Sequence, residues 1–293
     1  VSKFAKGEAE VAVRDDEENG NTEHTQQLAK IDEDGVTFRS HIDGTEHRLT
    51  PERSMEIQHD LGADIIFAFD ECTSPSAPRK YQEEAMERTH RWAERSLKRH
   101  QELGAGSAGP QALFGIVQGG KFKDLRKQSA QTLTAMDFDG FGVGGSFSKE
   151  DIEQTLAVTV AELPEGKPRH LLGIGEPEDL FSGVENGADT FDCVIPTRLG
   201  RNGTLFTRKG KVNLFNASFS KEFFPLEEDC ECYACKNFTH AYLSHLFRAR
   251  EILAGTLGSI HNLHFLVKLV ADMRKSIING QFSIFKKSFL SQY

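Results

Sequence analysis

Three cysteines within six residues, Cys230, Cys232 and Cys235, are the densest concentration of reactive side chains in this sequence. They stand too close together to form a sensible disulfide framework. Thiolates at this spacing instead suit a soft ion with tetrahedral coordination. A closed site needs a fourth ligand, and His240, His245, His261 and His264 all lie downstream. Spacing alone does not choose among them. Three thiolates and an imidazole would saturate the ion, so the expectation is one structural zinc holding a small subdomain together.

Asp70 and Asp192 form a second constellation. The first follows the apolar run Ile65-Ile66-Phe67-Ala68-Phe69 and the second follows Thr190-Phe191. Carboxylates at the ends of buried strands either tie loops or do chemistry. Two on one rim suit glycosyl transfer, in which one attacks an anomeric carbon and the other handles protons or the leaving group. Gln118, Gly119, Gly120, Gly144 and Gly145 offer amide and backbone donors for a flat polar ligand, although a tight turn accounts equally well for each glycine. From Arg198 to Lys211 the chain carries Arg198, Arg201, Arg208, Lys209 and Lys211 with no acid between them. Such a strip is either a solvated hairpin or a contact for a polyanion.

The elements that must hold these groups alternate. Thr50-Pro51-Glu52 opens a helix that Gly62 closes. An apolar strand at 65–69 precedes an amphipathic helix over 79–103. Strands at 113–117, 138–143, 170–174 and 190–195 then alternate with helices at 123–136, 150–163 and 177–184. Near-continuous apolar strands separated by helices mean a parallel sheet with covered faces. Glycines or polar residues recur at the strand ends, and no G-x-G-x-x-G marks a first strand–helix turn. The pattern therefore predicts an α/β (β/α)8 TIM-like barrel, with its early strands not found in this chain, over a doubly wound sheet. Residues 1–34 read as an acidic linker or insertion, 35–224 as the partial barrel, 225–265 as the zinc subdomain and 266–293 as a C-terminal helix returning to the barrel. Two helices are expected at 238–254 and 262–279. Phe238, Tyr242 and His245 would share one helix face, either as core or as a contact between two copies.

Composition bounds the rest. The chain has 293 residues, 27% charged and 38% hydrophobic, with a net charge of −9. That balance excludes bulk electrostatic attraction to nucleic acid but not a local basic strip. The densest apolar run is far shorter than the roughly 20 residues of a spanning helix, and no leader pattern opens the chain, so a cytoplasmic protein without membrane contact is expected.

Several strings taken together resemble the tRNA-guanine transglycosylases, the queuine tRNA-ribosyltransferases. They are Ser54-Met55-Glu56-Ile57-Gln58, Ala68-Phe69-Asp70-Glu71-Cys72, Leu113-Phe114-Gly115-Ile116-Val117-Gln118-Gly119-Gly120, Phe191-Asp192-Cys193-Val194-Ile195-Pro196-Thr197-Arg198, and the cysteine run with His261-Asn262. The resemblance runs in order from about residue 35 to the end. It implies a pentosyltransferase that exchanges guanine at the wobble position of tRNAs with a GUN anticodon for a 7-deazaguanine, through a covalent aspartyl-ribose intermediate. It further implies Asp192 as the nucleophile, and Asp70, Gln118, Gly145, Leu172, Gly173 and Cys72 around the base. Arg198, Arg201, Lys209 and Lys211 would meet the tRNA, and Cys230, Cys232, Cys235 and His261 would hold zinc. Cys72 after Asp-Glu is the bacterial form, which favours preQ1 over queuine, and a homodimer is expected.

Two departures stand out. The family's Asp-Ser-Gly-Gly-Phe-Gln segment, with its general acid/base aspartate, is not found, so the chain is expected to be a fragment. Asp15 and Asp16 lack its surroundings and are not given the role. The loop usually written Gly-Gly-Leu-Ser/Ala-Val-Gly-Glu reads Gly144-Gly145-Ser146-Phe147-Ser148-Lys149-Glu150. The alternative reading is a non-catalytic tRNA-binding partner subunit on the same scaffold, against which the intact context of Asp192 speaks. A metal-dependent barrel hydrolase would need a His-x-His or carboxylate ligand pair at strand ends, and no such pair appears there.

Overall fold

The computed structural model describes residues 29–105, 109–145 and 152–293. Most of the expected acidic linker and the Ser146–Glu150 part of the variant loop lie outside the described residues. The linker's last residues do not read as a linker. Ala29–Asp32 is a strand, β1, antiparallel to β2 (Gly35–Arg39), which pairs with β3 (Glu46–Leu49). The Asp32 carboxylate turns the chain between the first two strands by accepting the N–H groups of Asp34 and Gly35 at 2.9 and 3.1 Å. Position 35 has to be glycine: its φ is +153°, and a Cβ there would lie 2.1 Å from the Leu49 carbonyl oxygen. Helix α1 (Pro51–Leu61) starts and stops as its sequence dictates. Thr50 Oγ1 accepts the Arg53 N–H at 3.2 Å, and Gly62 ends it at φ 71°.

The parallel sheet follows. Strands β4 (Ile65–Phe67), β5 (Ala112–Val117), β6 (Gly140–Val143), β7 (Arg169–Leu171) and β8 (Thr190–Phe191) lie side by side in chain order, with β4 to β7 paired in parallel. Helices α2 (Arg79–Leu103), α3 (Lys123–Thr134), α4 (Ile152–Val160) and α5 (Pro177–Glu185) connect them. Sequential order with a helix after each strand is the pattern of part of a (β/α)8 barrel, as the sequence predicted. The last strand is shorter than expected. It ends at Phe191, and the stretch read as its continuation begins helix α6 (Ile195–Arg201), because Pro196 near its start is pre-set for a helix and cannot donate to a sheet.

The chain divides into two compact units, each with its own core. The first comprises residues up to Leu171 together with Asn186–Thr190. Its core joins Met55, Ile66, Leu113, Val117, Leu133, Phe138 and Phe141. Trp92, fully buried, donates its indole N–H to the Glu33 carbonyl at 2.8 Å, so α2 holds the N-terminal sheet as well as the barrel strands.

The second unit comprises Leu172–Glu185 and Phe191–Tyr293. It contains α6, a hairpin of β9 (Thr204–Thr207) and β10 (Gly210–Asn213), a 3-10 turn at Ala217–Lys221, and helices α7 (Tyr233–Asn237), α8 (His240–Arg248), α9 (Ile252–Ile278) and α10 (Phe282–Leu290). The expected break before residue 262 does not exist. Residues 252–278 form one helix, with His261 in its middle. Phe238 precedes α8 instead of lying on it and packs half-buried against the core of the second unit, while Tyr242 and His245 are exposed, so the three do not share one helix face. Helix α6 crosses α9 at two glycines. A Cβ on Gly200 would lie 2.7 Å from the Ser259 nitrogen, and one on Gly258 would lie 2.6 Å from the Gly200 oxygen. Among the described residues no helix is long and apolar enough to cross a membrane.

Candidate functional site

Asp70 lies just beyond β4, where two buried hydroxyls of α2 fix the backbone on either side of it. Ser96 Oγ accepts the Phe69 N–H at 3.1 Å, and Thr89 Oγ1 accepts the Glu71 N–H at 3.0 Å. The carboxylate accepts Gln118 Nε2 at 2.6 Å. Burial raises the Asp70 pKa to about 6; the Gln118 bond works against that rise, and the neighbouring Glu71 charge adds to it. Glu71 itself is buried against Arg88 and Tyr81, with the tyrosine hydroxyl donating at 2.5 Å. Its charge is therefore compensated and faces its own partners. Cys72 is exposed on the following loop.

Gln118 follows β5 directly, and its backbone N–H is accepted by Ser129 Oγ on α3 at 3.1 Å. Its Oε1 is buried without a hydrogen-bond partner among the described residues. Behind it lies Arg126, with no exposed surface, donating to the carbonyls of Val117, Gly120 and Gly144 at 3.1, 2.7 and 2.5 Å. Burial lowers its pKa to about 9, which leaves the guanidinium charged at neutral pH. Gly145 has a φ of +88°, and a Cβ there would sit 2.6 Å from Arg126 Nη2 and 2.9 Å from Gln118 Oε1. Asp70, Gln118 and the Gly144-Gly145 turn thus form one bonded group. Its carboxylate and amide are the groups that recognise planar ligands rich in N–H and C=O groups.

In the second unit, Asp192 stands exposed just after Phe191, and its Oδ1 accepts the Gly173 N–H at 2.9 Å. Gly173, at φ 75°, is itself exposed, and Leu172 beside it is half-buried. Cys193 packs on Gly175, where a Cβ would come within 2.6 Å of its sulfur. Burial pushes the Cys193 thiol pKa up, and the charges of Asp192 and Glu176 push it further. An exposed carboxylate oriented by a backbone N–H has the chemistry of a nucleophile.

Cys230, Cys232, Cys235 and His261 come together with all their ligand atoms within 4.8 Å of one another. His261 Nδ1 lies 3.8, 3.5 and 3.4 Å from the three sulfurs. A tetrahedral zinc with ordinary Zn–S and Zn–N bonds sets N···S at about 3.6 Å, so the donor set fits. The other ring nitrogen settles the tautomer. Nε2 lies 2.7 Å from the Phe206 carbonyl oxygen, which can only accept, so Nε2 carries the hydrogen and Nδ1 offers its lone pair to the cluster. His240, His245 and His264 are not part of the cluster. Asn262, fully buried, accepts the Phe206 N–H at 2.9 Å and donates to the Pro196 and Thr204 carbonyls at 3.0 Å each.

The basic strip is not one hairpin. Arg198 and Arg201 stand exposed in the last turn of α6, and only Arg208, Lys209 and Lys211 belong to the β9–β10 hairpin. Lys209 is exposed. Lys211 is paired with the half-buried Glu176 at 2.7 Å and lies over the Phe206 ring, so part of its charge is already neutralised.

Sequence reasoning did not single out Thr89, Ser96, Arg126 or Ser129, and it named Asn262 only within a motif string, with no role. A signal existed for two of them. Arg126 and Ser129 fall on the α3 face shared with Leu125, Ala130 and Leu133, where polar residues are out of place unless something requires them.

A model of the family described as queuine tRNA-ribosyltransferase matches residues 16–293. The queuine tRNA-ribosyltransferase of Thermoanaerobacter sp. (strain X514) is 50% identical over 91% of this chain and 70% of its own length. That of Symbiobacterium thermophilum is 48% identical over 91% of this chain and 66% of its own. The corresponding protein of Acetivibrio thermocellus is 46% identical, with coverage of 91% and 71%. With a partial (β/α)8 sheet and a Cys3His cluster in place, the chain belongs to the queuine tRNA-ribosyltransferase family and so to the pentosyltransferase enzymes.

Proposed function

We propose that this chain carries out tRNA-guanine exchange at the anticodon wobble position of GUN tRNAs, taking preQ1 as the incoming base, by double displacement at the ribose. One observation carries the reading: Asp192 is exposed just past the end of β8, and the Gly173 N–H orients its carboxylate at 2.9 Å. In the first step an Asp192 carboxylate oxygen bonds to C1′ as the C1′–N9 bond of guanine breaks, and the leaving guanine takes a proton from water at N9. In the second, N9 of the incoming base bonds to C1′, the ester bond to Asp192 breaks, and the base gives up its N9 proton to water. One glycosidic bond is exchanged for another, so the sum needs no energy source. Two inversions at one carbon retain its configuration.

Asp70, as a carboxylate, accepts the N–H groups of the base, while the Gln118 amide and the Gly145 backbone serve its carbonyl edge. Leu172 and Gly173 adjoin Asp192 in the second unit, and Cys72 follows Asp70 and Glu71 in the first. Arg198, Arg201 and Lys209 attract the tRNA phosphates, with Lys211 contributing less because Glu176 holds it. Cys230, Cys232, Cys235 and His261 would hold a zinc ion, whose chemistry there is purely structural, a cross-link among four side chains. The homodimer belongs to this proposal too. Tyr242 stacks on Phe238 at 5.1 Å, next to Tyr233, which is 59% exposed, giving an aromatic patch suited to a second copy.

The test is denaturing electrophoresis of the chain mixed with unmodified tRNA carrying a GUN anticodon and with guanine. A slow-migrating covalent adduct should form with this chain and not with Asp192→Asn. An adduct of equal yield with Asp192→Asn would reject Asp192 as the nucleophile. Labelled guanine incorporated with no adduct at any time would reject double displacement.

A further inference from the structure

We propose that Arg126 and Ser129 are positioning residues for base recognition, clamping the Val117–Gln118 peptide from opposite edges so that the Gln118 side chain is delivered to Asp70. The inference rests on the pocket reading above and extends it to two residues that touch no substrate.

The C=O and N–H of a trans peptide point in opposite directions, so partners on both edges fix its rotation about the chain. Here the Val117 oxygen takes Arg126 Nη1, and the Gln118 N–H goes to Ser129 Oγ. Both partners lie on α3, and both are fully buried. The Ser129 hydroxyl has its own second contact, His90 Nε2 at 3.1 Å. Burial holds His90 neutral, with its pKa lowered to about 4, so the ring can accept that proton and the chain of bonds is complete. With the peptide plane set, Gln118 Nε2 reaches Asp70 at 2.6 Å.

The guanidinium does a second job. It also bonds the Gly120 and Gly144 carbonyls, and so ties the loop after β5 to the loop after β6. Gly145 passes so close to Arg126 Nη2 that no side chain fits between them. By holding the Gly144 carbonyl, the guanidinium also fixes the plane of the Gly144–Gly145 peptide. Burying a cation is costly, and leucine or methionine would fill the same volume without that cost. What an apolar residue cannot do is hold three carbonyls in a fixed fork.

The experiment is steady-state base exchange with the full chain, titrating guanine and tRNA separately, on Ser129→Ala, Arg126→Met and Arg126→Lys. Thermal melting of each variant runs alongside. Ser129→Ala should raise KM for guanine roughly tenfold and Arg126→Met by more, with KM for tRNA changed less than about twofold. Arg126→Lys, which keeps the charge but not the fork, should fall between Arg126→Met and the unaltered chain. A lower Tm with guanine KM unchanged would mean a merely structural role and would overturn the proposal. Equal changes in both KM values would do the same. Should Arg126→Met fail to fold, Ser129→Ala decides the matter, since it removes a single oxygen.

Asp70→Asn and Gln118→Ala are the controls that separate the two readings. If these lose guanine binding and Ser129→Ala does not, the clamp is wrong and the pocket stands. If these two also keep full guanine affinity, the pocket reading itself falls.

Discussion

The two units hold their polar groups by different means. Around Asp70 and Gln118, single hydroxyls and one guanidinium reach from helices to backbone groups at strand ends, with Thr89, Ser96, Arg126 and Ser129 acting one bond at a time. In the second unit a cluster of four ligands does the work in one place, and His261 and Asn262 pass it to the backbone of Phe206 and Pro196. A distributed network loses function in increments. A cluster loses it at once, because three thiols and an imidazole crowded together have no other stable arrangement.

That contrast can be broken most sharply at the cluster. Cys232→Ser should remove the bound zinc and destabilise the second unit by about 5 kcal/mol or more. Metal content by mass spectrometry and hydrogen exchange across 225–265 would check it, and exchange in β4–β6 should stay as it was. Full retention of zinc would remove the cluster from the argument. Next comes Asn262→Ala, which strands the Phe206 N–H and two carbonyls in a dry interior and should cost about 2–4 kcal/mol by chemical denaturation.

Asp70 gives the first unit a pH signature. Its folded pKa, about 6, lies above that of an unfolded aspartate, so ionising it works against the fold. That cost is absent below about pH 4, grows as pH rises, and is complete above about 6. Asp70→Asn should therefore raise Tm at pH 7.5 by a few degrees while reducing guanine binding. In the unaltered chain guanine affinity should fall about tenfold per unit as pH drops below 6, since the carboxylate is the form that accepts the base. The smallest effect is expected at the surface. Arg201→Ala should weaken tRNA binding only a few-fold and lower the salt slope by about one, a change visible in binding measured across salt concentrations.

Much of this was legible in the sequence. Apolar runs marked β4 and β5, and Thr50-Pro51 with Gly62 bracketed α1. The cysteine spacing announced a metal-type cluster. Its fourth ligand was fixed only by resemblance, because His261 arrives from a helix 26 residues past Cys235 and spacing says nothing over that distance. Residues 194–195 misled because valine and isoleucine suit strands, and the proline after them decides otherwise. The clamp residues were invisible for another reason. A buried serine or arginine acquires its meaning from the backbone group it meets, and that partner comes from another part of the chain. β1 hid in an acidic stretch, where Asp32 looked like surface charge and is instead the residue that turns the strand.

The glycine crossing of α6 and α9 bears on how this surface can vary over time. Backbone meets backbone there at Gly200 and Gly258, so a side chain added at either would force the two helices apart. Substitutions accumulating on the solvent side of α9, at Val267 or Ile278, have no lever on the crossing. Arg198 and Arg201 therefore keep their spacing and heading while the sequence around them drifts. Any lineage that changes Gly200 would have to rebuild the pair of helices together.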